Sequence, residues 1–315
     1  MSCTAFHVGD QDTLVKGLIR SAESLASHTT FRVGGPAEWY CEPTSLLELQ
    51  QCLAWSFQSQ TSVTFLGAGS NLLISDQGLR GLVINTRRLR EIQILPGGRL
   101  WAAAGAPLKK LADLAARHGW SGMEWAIGIP GTVGGAVVMN AGAHQQSIAD
   151  VLLEVTLLDD QAQPQQLTMA ELNYGYRSSL LQQRTWIVTG ASFQLHPGHD
   201  PAHIKAQTER NWLERQQRQP YDLPSCGSVF RNPKPMAAGW LIEQTGLKGH
   251  QIGGAQVANR HANFILNCGQ ASATDIHTLI RFVQGAVFER WSLVLEPEVR
   301  ILGDFGLEPL LTLPS

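Results

Sequence analysis

Apolar and polar positions alternate along this chain in two rhythms, and the rhythm changes near residue 200. Residues 45–57, SLLELQQCLAWSF, carry apolar side chains at helical spacing, with Ser45 and Glu48 placed as a capping box, and predict a helix starting at Ser45. Residues 63–66 form a short β-like run, and residues 82–84, 92–95 and 100–103 read as further strands. A helix is expected over 107–118, opened by Pro107, whose fixed φ suits a first turn. Residues 151–158 and 186–195 are apolar enough to be interior strands. The run HPGHDP at 196–201 then interrupts the pattern. Past it come a polar helix over 202–217, a short helix over 238–245 and a strand over 264–267. Residues 274–291 are amphipathic, with Ile276, Leu279, Ile280, Val283 and Val287 on one face. A last strand is expected over 298–302. Helices and strands mix without a regular βαβ alternation, so the fold class is α+β.

One stretch fits neither rhythm. Residues 128–143 read GIPGTVGGAVVMNAGA, with five glycines, one proline and no charge. A membrane-spanning helix needs about 20 mostly apolar residues. Here Pro130, the close glycines and Asn140 would weaken any such helix, so the stretch is read as an extended loop that brings backbone close to a ligand. A second glycine loop, LGAGSNLLISDQG, follows the run at 63–66. It lacks the third glycine of a dinucleotide fingerprint, and the chain lacks a GK[ST] ending. Together the two loops could offer several N–H donors to a diphosphate; taken alone, each is equally well a crowded turn.

Composition narrows the partners. The 315 residues suggest two domains, and 24 basic against 26 acidic side chains leave no cationic field for nucleic acid. Five scattered cysteines without a CxxC pair suit free thiols in a reducing compartment. The first residues show no apolar signal-type run, so cytoplasmic residence and no membrane partner are expected. His196, His199 and His203 sit in the Pro/Gly-rich interruption and are read as an exposed linker; no metal site is expected.

The segments HTTFRVGGPAEW, GAGSNLLISDQGLRG, GIPGTVGGAVVMNAGA, YRSS, PSCGSVFRNP, LIEQTGLKG, HANFILN and LEPEVR occur here in that order. In this combination the chain resembles the UDP-N-acetylenolpyruvoylglucosamine reductases over nearly its whole length, and specifically their shorter subtype, which lacks an extra tyrosine-bearing loop. The resemblance implies non-covalent FAD, NADPH as hydride donor, a nucleotide-sugar substrate and a role in cell-wall precursor synthesis. It implies a leader over 1–21, FAD-binding subdomains over 22–80 and 81–198, a substrate-binding domain over 199–305 and a tail over 306–315. A monomer is expected.

The same resemblance assigns residues. Gly67, Ala68, Gly69, Ser70 and Asn71 on one side, and Gly128, Ile129, Pro130, Gly131, Thr132, Gly134, Gly135, Asn140, Ala141 and Gly142 on the other, match the FAD cradle. Arg177, Ser228 and Glu298 match the catalytic positions: a carboxylate clamp, a proton donor to carbon, and a group beside the developing enolate charge. Arg215, Arg218, Arg231, Asn232 and His261 match substrate-side positions. One departure is local: His144, Gln145 and Gln146 stand where the family often has a tyrosine and two glycines. Two other readings stay open. One is a flavin-dependent sugar-alcohol oxidase built on a related cofactor module; the other is a silent nucleotide-sugar-binding protein.

Overall fold

The computed structural model describes residues 17–306. In chain order its strands are β1 (Ile19–Ser24), β2 (Pro36–Cys41), β3 (Val63–Leu66), β4 (Leu72–Ile74), β5 (Leu79–Asn85), β6 (Ile92–Leu95), β7 (Arg99–Ala103), β8 (Gly142–Ala143), β9 (Gln146–Ser147), β10 (Leu152–Leu158), β11 (Pro164–Thr168), β12 (Ile187–Gln194), β13 (Gln251–Ile252), β14 (Ala255–Val257), β15 (Ile265–Asn267) and β16 (Arg300–Leu302). The α-helices are α1 (Leu46–Gln58), α2 (Leu108–Arg117), α3 (Val133–Met139), α4 (Pro201–Arg218), α5 (Ala238–Gln244) and α6 (Ala273–Trp291). Mixed helices and mostly antiparallel strands make the protein α+β.

The chain forms two units. Residues 17–23, Ala37–Gly67 and Arg80–Asn211 make the first; Ser24–Pro36, Ala68–Leu79 and the chain from Trp212 onward make the second. The first unit contains a sheet of order β1-β2-β5-β3 and a five-stranded sheet of order β11-β10-β12-β7-β6. β3 runs parallel to β5, with Val63 beside Leu82, while β10, β12 and β7 pair antiparallel. Helix α1 begins where its capping box sets it, the Ser45 hydroxyl accepting from the Glu48 N–H at 3.2 Å. It buries Leu49, Cys52 and Leu53 with Leu82 and Ile84 of β5.

The second unit is organised by α6. A complete capping box at Ser272 and Asp275 starts the helix. Its apolar face, Ile276, Leu279, Ile280, Val283 and Val287, is almost wholly inaccessible to solvent and packs with Phe31, Leu73 and Val299 in one core. β13, β14 and β15 form a small antiparallel sheet beside it. Strand β4 pairs in parallel with β16, Leu72 against Arg300.

Two expectations need correction. The stretch after Thr132 is not wholly an extended loop: Val133–Met139 is helix α3. The reason is packing, since Gly134 lies so close to β7 that a Cβ would sit 3.0 Å from that of Ala104, and its N–H donates to the Ala104 carbonyl at 2.8 Å. A glycine pair that weakens an isolated helix here admits one against a sheet. The leader reading of 1–21 falls partly outside the described residues, but from Ile19 the chain is β1. The tail beyond residue 306 lies outside them.

Candidate active site

In the first unit, β3 leads into Gly67, and the turn after a short 3-10 helix, Glu124–Gly128, leads to Thr132. The two meet: a Cβ on Gly67 would lie 2.6 Å from the Thr132 Oγ1. That hydroxyl is buried and has no hydrogen-bond partner among the described residues. A buried hydroxyl left unsatisfied is costly, so it marks a place where a partner belongs. Gly135 beside it is exposed, and a Cβ there would meet only the same hydroxyl, at 3.7 Å. Backbone without side chains, open space and an unused donor together fit the FAD cradle that the resemblance implies. The loop is anchored from behind, with the Gly131 carbonyl accepting from Leu108 at 3.1 Å and the Val133 N–H donating to Ala106 at 2.9 Å.

The same stretch ends at Asn140, which is left-handed (φ 44°, ψ 55°) and caps α3. Its side chain donates to the Gly175 carbonyl at 2.9 Å and accepts from the Ala149 N–H at 3.1 Å. Arg177 follows two residues after Gly175, at φ +55°. Its guanidinium donates to the Gly142 carbonyl at 2.7 Å and, more weakly, to that of Asn140 at 3.5 Å. Tyr174 donates to Val137 O at 2.9 Å, and burial pushes its phenol well above the ordinary range. So Asn140 and Gly142, assigned to the cofactor, and Arg177, assigned to the substrate, share one hydrogen-bonded knot.

In the second unit, the Gly69 to Asn71 segment is held tightly. Gly69 has φ +64°, and a Cβ there would come 2.1 Å from the His28 carbonyl oxygen. The Asn71 side chain donates to the Glu298 carbonyl at 3.0 Å, and its own carbonyl accepts from Arg300 at 3.0 Å. Ser228 and Glu298 are brought together by backbone pairing. Ser228 bridges Phe264, Phe230 bridges Pro297, and the Glu298 N–H donates to Val229 O at 2.7 Å. The amide of Asn263, 3% exposed, clasps Phe230 on both sides, accepting from its N–H at 2.9 Å and donating to its carbonyl at 2.8 Å. Burial raises the Cys226 thiol far above its usual range, and the Glu298 charge adds to this.

The substrate-side candidates differ in how they are used. The Arg215 Nε donates to the Tyr221 hydroxyl at 3.0 Å. Arg218 makes an exposed ion pair with Glu214 at 2.8 Å, an arrangement worth about 0–1 kcal/mol. Arg231 approaches Glu296 at 3.3 Å. Asn232 accepts from the Ala238 N–H at 3.0 Å, which starts α5. His261 accepts at Nδ1 from the Asn263 N–H at 3.3 Å. Burial, reinforced by the charges of Lys248 and Arg215, holds its imidazole below the ordinary histidine range, so the neutral ring carries its proton on Nε2. Asn263 and Gln182 were not singled out from sequence. Asn263 is marked only as an amide between Ala262 and Phe264, and Gln182, followed by Gln183 and Arg184, carries no local signal. His199 of the interrupted stretch pairs with the Ser121 hydroxyl at 3.2 Å.

Two family models match: the UDP-N-acetylenolpyruvoylglucosamine reductase C-terminal domain over residues 219–302 and an FAD binding domain over residues 37–167. Among relatives, the UDP-N-acetylenolpyruvoylglucosamine reductase of Synechococcus sp. (strain JA-3-3Ab) is 63% identical over 95% of each chain. That of Acaryochloris marina (strain MBIC 11017) is 58% identical over 90% of this chain and 92% of its own. The crystal structure of UDP-N-acetylenolpyruvylglucosamine reductase from Thermus caldophilus superposes with a TM-score of 0.77 at 35% identity, covering 90% of this chain and 98% of that one. With relatives of this identity aligned almost end to end, the chain belongs to the UDP-N-acetylenolpyruvoylglucosamine reductase family.

Proposed function

We infer that this protein is the NADPH-dependent flavoenzyme that reduces the enolpyruvyl ether of UDP-N-acetylglucosamine-enolpyruvate to UDP-N-acetylmuramate. The structural observation that carries the reading is the buried, partnerless Thr132 hydroxyl against side-chain-free Gly67. Held in the glycine loops, FAD would supply the hydride transfer from NADPH to the enolpyruvyl methylene carbon. The residues of this chain do the rest. Arg177 grips the substrate carboxylate through a planar fork of N–H donors. Negative charge builds on the carbon next to that carboxylate, and Glu298 lies beside it, where a protonated carboxyl would donate to the enolate. Ser228 supplies the proton that completes the lactyl ether. Arg215, Arg218, Arg231, Asn232 and His261 serve the nucleotide-sugar end. Asn232 does so through its backbone or amide nitrogen, since its side-chain oxygen already starts α5.

In this reading residues 22–80 and 81–198 are the cofactor subdomains and 199–305 the substrate domain. The product enters peptidoglycan precursor synthesis, and through it cell shape and division. The enzyme works in the cytoplasm as a monomer, which suits its four free thiols among the described residues. No helix of the described residues is long and apolar enough to cross a membrane. The oxidase alternative is disfavoured by end-to-end identity to reductases.

Gly135→Ala tests the cradle. In the protein without cofactor the new methyl makes only an ordinary 3.7 Å contact with the Thr132 hydroxyl and replaces a helical glycine, so unfolding temperature should hold or rise. FAD retention should fall at least tenfold. A variant that binds FAD like the parent removes Gly135 from the cradle.

A further inference from the structure

The tip that carries Arg177 is a four-residue turn. Gly175 and Ser178 exchange both backbone hydrogen bonds, at 3.1 and 3.2 Å, and Arg177 is the third residue. A positive φ at that position is normally left to glycine or asparagine. Arg177 adopts φ +55° nevertheless. A side chain kept in a disfavoured conformation needs its surroundings to hold it there.

The holding group is Gln182, half-buried one turn downstream. Its side-chain amide nitrogen donates to the Arg177 carbonyl at 3.0 Å and to the Val138 carbonyl in the last turn of α3 at 3.0 Å. A primary amide has two N–H donors, and both find an acceptor here. The Ser179 hydroxyl also donates to Val138 O, at 2.6 Å, and fixes the segment but not the tip. Gln182 thus links the main chain of Arg177 directly to the helix that follows the glycine loop. Two donors of the guanidinium meanwhile lean on Asn140 and Gly142 carbonyls, which aims the fork.

We propose that Gln182 is a positioning residue for Arg177: its amide locks the left-handed turn so that the guanidinium meets the substrate carboxylate in register. This rests on the reading of Arg177 as the carboxylate clamp. A misplacement of about 1 Å at a reacting group typically costs about a hundredfold in rate.

The test separates the two half-reactions of the FAD-loaded enzyme by stopped flow. In Gln182→Met, flavin reduction by NADPH should stay within about twofold of the parent, while reoxidation by the enolpyruvyl nucleotide sugar slows by about ten- to a hundredfold. In Gln182→Glu the ionised carboxylate donates nothing, and protonation restores one donor. Its reoxidation rate relative to the parent should therefore climb as pH falls through the glutamate range. Should Gln182→Met fail to fold, that pH profile carries the test. In an Arg177→Met background, Gln182→Met should add little, because the amide acts only through the arginine. Equal slowing of both half-reactions, unchanged reoxidation, a flat relative pH profile in Gln182→Glu or full additivity with Arg177→Met would each overturn the proposal. If Arg177→Met itself reoxidises at the parental rate, the clamp reading fails instead, whatever Gln182 does.

Discussion

Ser228 with Glu298, and Arg177, are held by opposite means. The first pair sits on a backbone ladder: residues 228–231 run between 261–264 on one side and 296–299 on the other, joined by main-chain hydrogen bonds. The arginine sits on a strained hairpin tip held by side-chain amides, those of Gln182 and Asn140. Main-chain pairing tolerates substitution at nearly any flanking position, whereas a tip held by amides fails when one amide is lost. Ser228, proposed above as the proton donor, is therefore robustly placed, and Arg177, proposed as the carboxylate clamp, is fragile.

The largest expected effect falls on chemistry alone. Ser228→Ala leaves every backbone bridge in place, so thermal unfolding should match the parent. Reoxidation of NADPH-reduced enzyme by substrate should drop by about 10²–10³, the usual loss for one transition-state group; normal turnover would remove Ser228 as proton donor. Next comes the buried side-chain amide that clasps the ladder. Asn263→Ala strips Phe230 of both partners in a buried setting and should cost about 2–4 kcal/mol in denaturant unfolding. A loss under about 1 kcal/mol would show that backbone pairing alone suffices. Smaller again is the strain at the tip. Arg177→Gly and Arg177→Ala both remove the guanidinium, yet glycine accepts positive φ freely. The glycine variant should be the more stable of the two by about 1 kcal/mol; equal stabilities would mean that the turn relaxes.

The smallest effect is a pH dependence away from both. His277 is 5% exposed, its Nδ1 has no partner among the described residues, and its ring stacks on Phe305 at 4.5 Å. Burial, and then the Arg281 charge, depress its basicity below the ordinary value of 6.5. The unfolded chain takes up the proton first, so stability contributed by the neutral ring is complete above about pH 6.5 and declines as pH falls toward the folded value. His277→Leu should flatten that part of the acid limb in thermal unfolding between pH 7 and 5.

Local elements were legible because local forces make them. The run at 63–66 and the run at 92–95 are strands over those same residues, and Ser45 caps α1 through Glu48. The two glycine loops could be found because close backbone approach demands glycine, as Gly67 against Thr132 and Gly69 against His28 show. Three things left no local mark. Helix α3 carries a glycine pair that propensity counts against, and only contact with Ala104 explains it. The sequence Tyr-Arg-Ser-Ser contains no glycine or asparagine to announce a left-handed residue at Arg177. The interleaving of residues 24–36 and 68–79 with the chain beyond 212 depends on pairings between distant segments, for which no short window carries a signal.

That last feature has a cost during synthesis. Among the described residues β4 pairs with β16 alone, and 227 residues separate the adjoining Asn71 and Glu298. At ribosomal speeds of about 5–20 residues per second, Leu73 and Ile74 wait on the order of 10–50 s for the strand that covers them. A nascent chain in that interval presents an unpaired apolar edge, so a messenger truncated before Arg300 should yield inclusion bodies rather than a shortened enzyme.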